Sequence, residues 1–149
     1  MTVARSMLRA AANGGPPPEI VGYVTAGVYF PADQMEYDLT GLDIQSGDLL
    51  VCFASRYNSN SLIPTGFTTV YSGGDTTYGA RYCGYKIADG TEGIIYSPTN
   101  TTYAAGMMIA LRGVVYADAD YALTSVNPPA TTNDAGGISI IIAGDSHTS

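Results

Sequence analysis

The sequence predicts an all-β protein, a β-sandwich or jelly roll of about eight short strands. Three observations lead there. Turn formers are plentiful, with 18 Gly and 8 Pro among 149 residues. Short runs of β-branched and aromatic residues, including many of the 12 Tyr, stand between them. Beyond the N-terminal segment, no stretch carries a sustained helical period of apolar residues. The length suits one domain with its own core.

Residues 1–19 differ from the rest. Ser6, Met7, Leu8, Arg9 and three alanines are expected to form about two helical turns, which Asn13, Gly14 and Gly15 stop. Pro16, Pro17 and Pro18 then hold the chain as a stiff polyproline spacer. The segment reads as an N-terminal arm, 1–19, outside a β-sandwich domain spanning 20–149. In the first strand, 20–30, Val24, Val28 and Phe30 share one face and Tyr23 and Tyr29 the other. An edge or sheet-crossing strand follows near 37–42. Gly47-Asp48 turns the chain into 49–54, apolar on both faces and so a central strand with Phe53 facing inward. Asn58 to Ser61 is a polar loop, Pro64-Thr65-Gly66 a turn, and 67–71 a short strand ended by Gly73, Gly74 and Asp75. A long strand over 77–88 carries aromatics on both faces, and a short one covers 94–96. Over 103–111, Tyr103, Ala105, Met107, Ile109 and Leu111 make a period-two face. The last strand is 138–143.

Charged residues are 13% of the chain, about half the usual share, so Thr, Ser, Asn, Gly and Tyr must cover much of the surface. Thirteen acidic against six basic side chains give a formal charge of -7, which repels a phosphate backbone and argues against nucleic acid as a partner. Cys52 and Cys83 lie in separate expected strands, without the paired spacing of a zinc site. A single bridge requires those strands to be neighbours. The basic start runs into Ala10, Ala11, Ala12, Asn13 and Gly14 rather than a sustained apolar core, so no secretory signal is expected. The apolar runs at 49–54 and 107–111 are too short to span a bilayer, and no membrane partner is expected.

The string 140–147, ending Gly144-Asp145-Ser146-His147, resembles the nucleophile block of serine esterases. His147 is the only histidine, however, and a neighbour of Ser146 cannot be both its base and a group oriented by a third residue. An esterase fragment is therefore a remote alternative, no catalytic residue is assigned, and the protein is expected not to be an enzyme. Asp118 and Asp120, or Asp33, Glu36 and Asp38, offer oxygen ligands but lack a calcium-loop spacing, and read as solvated loop carboxylates. No metal and no cofactor are assigned. Twelve Tyr without a Trp suit either cross-strand packing or stacking on sugar rings. Tyr57, Tyr71 and Tyr78, near loops, are the candidate glycan contacts.

Gly47-Asp48-Leu49-Leu50-Val51, Pro64-Thr65-Gly66-Phe67-Thr68, Tyr85-Lys86-Ile87-Ala88, Glu92 and Ala110-Leu111-Arg112-Gly113-Val114 follow one another in an order that resembles the β-sandwich modules of phage and prophage virion proteins. The resemblance covers roughly residues 40 to 145. Two departures stand out: Phe67 takes a place where relatives often carry Trp, and the strand at 138–142 is one that in longer relatives opens a second half of the module. The resemblance implies a tail, fibre or capsid-decoration component. The expected function is a capsid decoration or cement protein that binds and stabilises the virion. The alternative is a tail- or fibre-associated glycan or receptor-binding module. Partners would be the chain itself, as a trimer, and the major capsid or another virion protein. Arg5 and Arg9, four apart on one face of the expected helix, with Pro16, Pro17 and Pro18 as spacer, are the candidate partner-binding residues.

Overall fold

The computed structural model describes residues 3–12, 18–28, 34–56, 62–75, 79–99, 103–124 and 138–144. Among the described residues every regular element is a strand. In chain order they are β1 (Val3–Ala12), β2 (Glu19–Val28), β3 (Glu36–Asp38), β4 (Leu49–Arg56), β5 (Thr68–Asp75), β6 (Gly79–Ile87), β7 (Ile94–Tyr96), β8 (Ala104–Arg112), β9 (Val114–Thr124) and β10 (Ile138–Gly144). Each register that is defined is antiparallel. The all-β reading holds. The chain divides into two compact units, Ile20–Arg112 and a second made of Met1–Glu19 with Gly113–Ser149.

The larger unit contains a five-stranded sheet, ordered β2-β8-β4-β6-β5, and a ribbon of β3 and β7. β4 takes the middle because it can be buried on both faces: Leu49, Leu50, Val51 and Cys52 are all fully buried. Its Leu50, Cys52 and Ala54 share one face of the sheet with Tyr82 of β6 and Met108 and Ala110 of β8. Met35, Tyr37 and Leu39 from around β3, with Leu62 and Ile63, complete that core. Sheet and ribbon thus form two layers around an apolar centre, the arrangement of a sandwich. Ser97 ties the ribbon beyond its last pair, donating its N–H to the Met35 carbonyl at 2.9 Å while its Oγ accepts from the Met35 N–H at 2.8 Å. The expected edge strand at 37–42 shrinks to β3, because Asp38 turns the chain by accepting from the Thr40 N–H and hydroxyl.

Gly106 is needed for close approach. The Tyr37 hydroxyl occupies the space a Cβ there would take, and the Phe53 carbonyl lies 2.9 Å from the same point. Burial drives the Tyr37 hydroxyl far above its ordinary pKa and pushes the Cys52 thiol up to about 12, so both stay neutral. The strands of the two cysteines are neighbours, as a bridge would require, but Cys52 stands opposite Gly84 while Phe53 stands opposite Cys83. Successive residues of a strand point to opposite faces, so the two thiols are held apart and neither is in a disulfide.

β2 bears out the alternation read from its sequence: Val24, Ala26 and Val28 pack against the core, while Tyr23, Thr25 and Gly27 are exposed. Tyr29 and Phe30 lie outside the described residues. Phe53 is 6% exposed and Met107, directly opposite it, is half-buried.

The smaller unit corrects the N-terminal reading. Residues 6–12 are not helical but lie in β1, the middle strand of a three-stranded sheet ordered β10-β1-β9. The alanine-rich composition favours a helix by only tenths of a kcal/mol per residue. Pairing along both edges supplies two hydrogen-bonded ladders, from Ala4↔Gly144 to Ala10↔Ile138 on one side and from Val3↔Thr124 to Ala12↔Val114 on the other. An arm free of the β structure is therefore replaced by a strand that anchors one unit. β9 has no counterpart among the strands expected from the sequence. It carries Asp118 and Asp120, read from sequence as loop carboxylates, at strand positions opposite Arg9 and Met7.

Candidate functional site

Charged side chains in the larger unit gather at the end of the sheet where β4 begins. Gln45 to Asp48 form a turn closed by the Asp48 N–H donating to the Gln45 carbonyl at 3.1 Å, with Gly47 at φ 96°, a backbone state that favours glycine. The turn delivers Asp48, 3% exposed, to the end of β8. There Arg112 grips it with both edges of its fork, Nε to Oδ1 at 3.1 Å and Nη2 to Oδ2 at 2.9 Å. Arg112 also reaches the Asp43 carboxylate and donates to the Asp43 carbonyl. These contacts raise the Arg112 pKa, the Asp48 hydrogen bonds first among them, and keep it charged. The backbone closes the same end, Gly47 N–H to the Ala88 carbonyl at 2.9 Å and Ala88 N–H to the Asp48 carbonyl at 2.7 Å.

Beside this pair, Glu92 accepts from the Asp89 and Gly90 N–H groups, each at 2.9 Å, and from Lys86 Nζ at 3.2 Å. Burial alone would raise the Glu92 carboxyl, but those donors outweigh it and hold it below the usual carboxylate range. A carboxyl whose folded pKa is lowered adds stability above its unfolded pKa and loses it as pH falls through the folded value. In Glu92→Gln the drop in thermal midpoint between pH 7 and about pH 3 should be smaller than in the parent chain. An identical acid limb in both proteins would show that Glu92 plays no part in it.

Gly47, Asp48, Lys86, Ala88, Glu92 and Arg112, all within the motifs singled out in the sequence, come together at this end as one polar latch. Their charges are matched against each other, so the latch holds the fold.

The other sequence candidates that are described lie in separate elements. Arg5 and Arg9 sit in β1, not on a helix, opposite Ala122 and Asp118 in the β9 register. Pro18 is half-buried just before β2, while Pro16 and Pro17 lie outside the described residues. Tyr71 is half-buried on β5, opposite Cys83. Tyr57, Tyr78, Asp33, Ser146 and His147 lie outside the described residues. Glu36 and Asp38 are exposed on β3, and the Asp38 carboxyl is lowered by its hydrogen bonds from Thr40. Among the described residues no three His, Cys, Asp or Glu side chains converge as metal ligands. Among the described residues the aromatics exposed are Tyr23, Tyr96 and Tyr103, which alternation could suggest for Tyr23 but not for the other two.

The opposite end of the sheet, where β4 finishes, holds a group the sequence reading missed. Arg56 stands opposite Ala80 of β6 and Ala104 of β8 on the core face. It is 4% exposed, and its Nε and Nη1 are buried with no hydrogen-bond partner. Tyr82, opposite the neighbouring Ala54, lies near enough for the Arg56 charge to act on its phenol, although burial dominates and raises that pKa. β4 and β5 finish at this end, at Arg56 and Asp75, and β6 and β8 begin there, at Gly79 and Ala104. With the geometry of both ends in view, the chain matches no protein-family profile, no curated protein and no solved structure.

Proposed function

We propose that the chain is a non-enzymatic structural component of a bacteriophage particle, a capsid decoration or cement protein built on a β-sandwich. One observation carries the reading: the ordered residues that resemble virion modules come together as a single latch, Asp48 with Arg112 and Lys86 with Glu92. Residues far apart in sequence that meet to close one sheet end are what a shared fold requires, so the resemblance reads as one of architecture. Jelly-roll closure is not part of this reading. In the particle the chain works as a homo-oligomer, a trimer, against the major capsid or another virion protein. Exposed Ile20 and Tyr23 on the edge strand β2 supply adhesive surface for such contacts. Mass spectrometry of purified virions should find the protein at a stoichiometry matching a symmetric shell or tail position, and its absence from the particles would end the proposal. Light scattering on the isolated chain should give three times the 15.5 kDa monomer mass.

A second reading, a tail- or fibre-associated glycan or receptor-binding module, is favoured by the Arg56 end. In sequence Tyr57 follows Arg56 directly and Tyr78 precedes Gly79, so both tyrosines adjoin strand residues at that end, and Tyr103 is exposed just before β8. Tyrosine with Asn and Ser is the composition of adaptable recognition loops. Binding on a glycan array that weakens in Tyr103→Ala would favour this reading over the first.

A further inference from the structure

We propose that Arg56 anchors a binding site for a monovalent carboxylate at the end of the five-stranded sheet where β4 finishes. The inference is independent of the particle role. A guanidinium removed from water without a counter-charge is strongly disfavoured, so a charge that a fold buries and leaves unpaired calls for an anion from elsewhere. Arg56 meets that description. It is more than nine-tenths buried, and neither Nε nor Nη1 has a partner.

The contrast with Arg112 is informative, because the two arginines end strands at opposite ends of one sheet. Arg112 is neutralised by Asp48 and Asp43 of the same chain. No ion pair of Arg56 occurs among the described residues. Its surroundings are built from small side chains: Ala80 and Ala104 opposite it on either side, and Ala54 two residues earlier on the same face, each buried. Alanine at all three positions leaves the guanidinium room that larger side chains would take. Tyr82 adds a phenol beside it.

The ligand chemistry follows from shape and charge. A planar fork of N–H donors matches the two oxygens of a carboxylate and holds it more selectively than a spherical ion. A chain of formal charge -7 repels polyanions at long range, which favours a single negative charge over a phosphate-rich polymer. Such a carboxylate can come from an acidic sugar or from a side chain or terminus of another protein. The site is specific for what those sources share.

The test uses the full chain in sodium acetate and in sodium chloride at equal ionic strength, reading the thermal midpoint. Acetate should raise the midpoint by about 3 to 5 °C for each tenfold increase beyond its Kd, with chloride well behind. Arg56→Met, which replaces the buried charge by an apolar side chain of similar length, should lose the acetate response and melt higher than the parent without acetate. Acetate should also shift the Arg56 Nε–H resonance of the unmodified chain, assigned through bonds to the sequentially assigned Arg56 backbone, so this readout does not depend on a variant that folds. Sodium glucuronate against glucose separates the sources. A glucuronate response marks an acidic sugar, whereas acetate alone marks a smaller protein carboxylate, and both support the site. Equal shifts in acetate and chloride, an acetate response retained in Arg56→Met, or an unmoved Nε–H resonance would each overturn it.

Discussion

Alanine at position 53 is expected to lower the unfolding free energy by about 3 to 5 kcal/mol, as removal of a buried aromatic ring does. Phe53 lies near the middle of β4, 6% exposed, directly opposite Cys83 on one side and Met107 on the other. Its face of the strand also carries Leu49 and Val51, fully buried, and the register adds Ile109 and Leu111 from β8. β4 is paired along both edges, so the backbone cannot move in to fill the space the ring leaves. The thermal midpoint should fall by roughly ten degrees or more. A shift of one or two degrees would mean that the ring is not packed as described. Thr25→Ala, on the exposed face of β2, should stay within about 0.5 kcal/mol of the parent.

A larger effect is expected from deleting residues 1–18. If they formed an arm, a chain beginning at Glu19 would keep its β structure and lose only an attachment. They contain the middle strand of the β10-β1-β9 sheet, and β9 and β10 are joined through β1. Removing it strips both outer strands of their ladders and leaves the backbone of each to water or to aggregation. Amide exchange should lose its protection across β9 and β10 in the shortened chain. In the larger unit, whose sheet draws no strand from the deleted segment, protection over β4, β6 and β8 should persist. Unchanged protection of β9 and β10 would return residues 1–18 to the status of an arm.

The two outcomes mark what could be read from the amino acids. β4 is legible because an uninterrupted apolar run has few other places to go, and β7 emerges with the bounds expected, Ile94 to Tyr96. β1 is illegible because alanines and arginines prefer a helix in isolation and only partners more than a hundred positions away make them a strand. β9 hides for a related reason: Asp118 and Asp120 look like loop residues until Arg9 and Met7 are seen opposite them. At the candidate sites, the motif order pointed to Asp48 and Arg112, but their pairing across 64 positions is a property of the fold. Arg56 gave no sequence signal. An arginine closing an apolar run usually marks a strand reaching solvent, and its burial depends on small neighbours contributed by β6 and β8.

The order of the smaller unit's strands also bears on how the protein is made. A ribosome delivers β1 well before its partners, since about 110 residues separate Val3 from Val114 and β10 follows later still. The larger unit, Ile20–Arg112, is continuous in the chain and can close during translation, whereas β1 must wait, unpaired, until β9 has been made. In a crowded cytoplasm that wait exposes a ten-residue strand with two free edges to every other nascent copy. Yield of soluble protein should therefore respond to expression rate and to chaperone supply more than its small size suggests, with exchange of β1 between copies as the characteristic error of assembly.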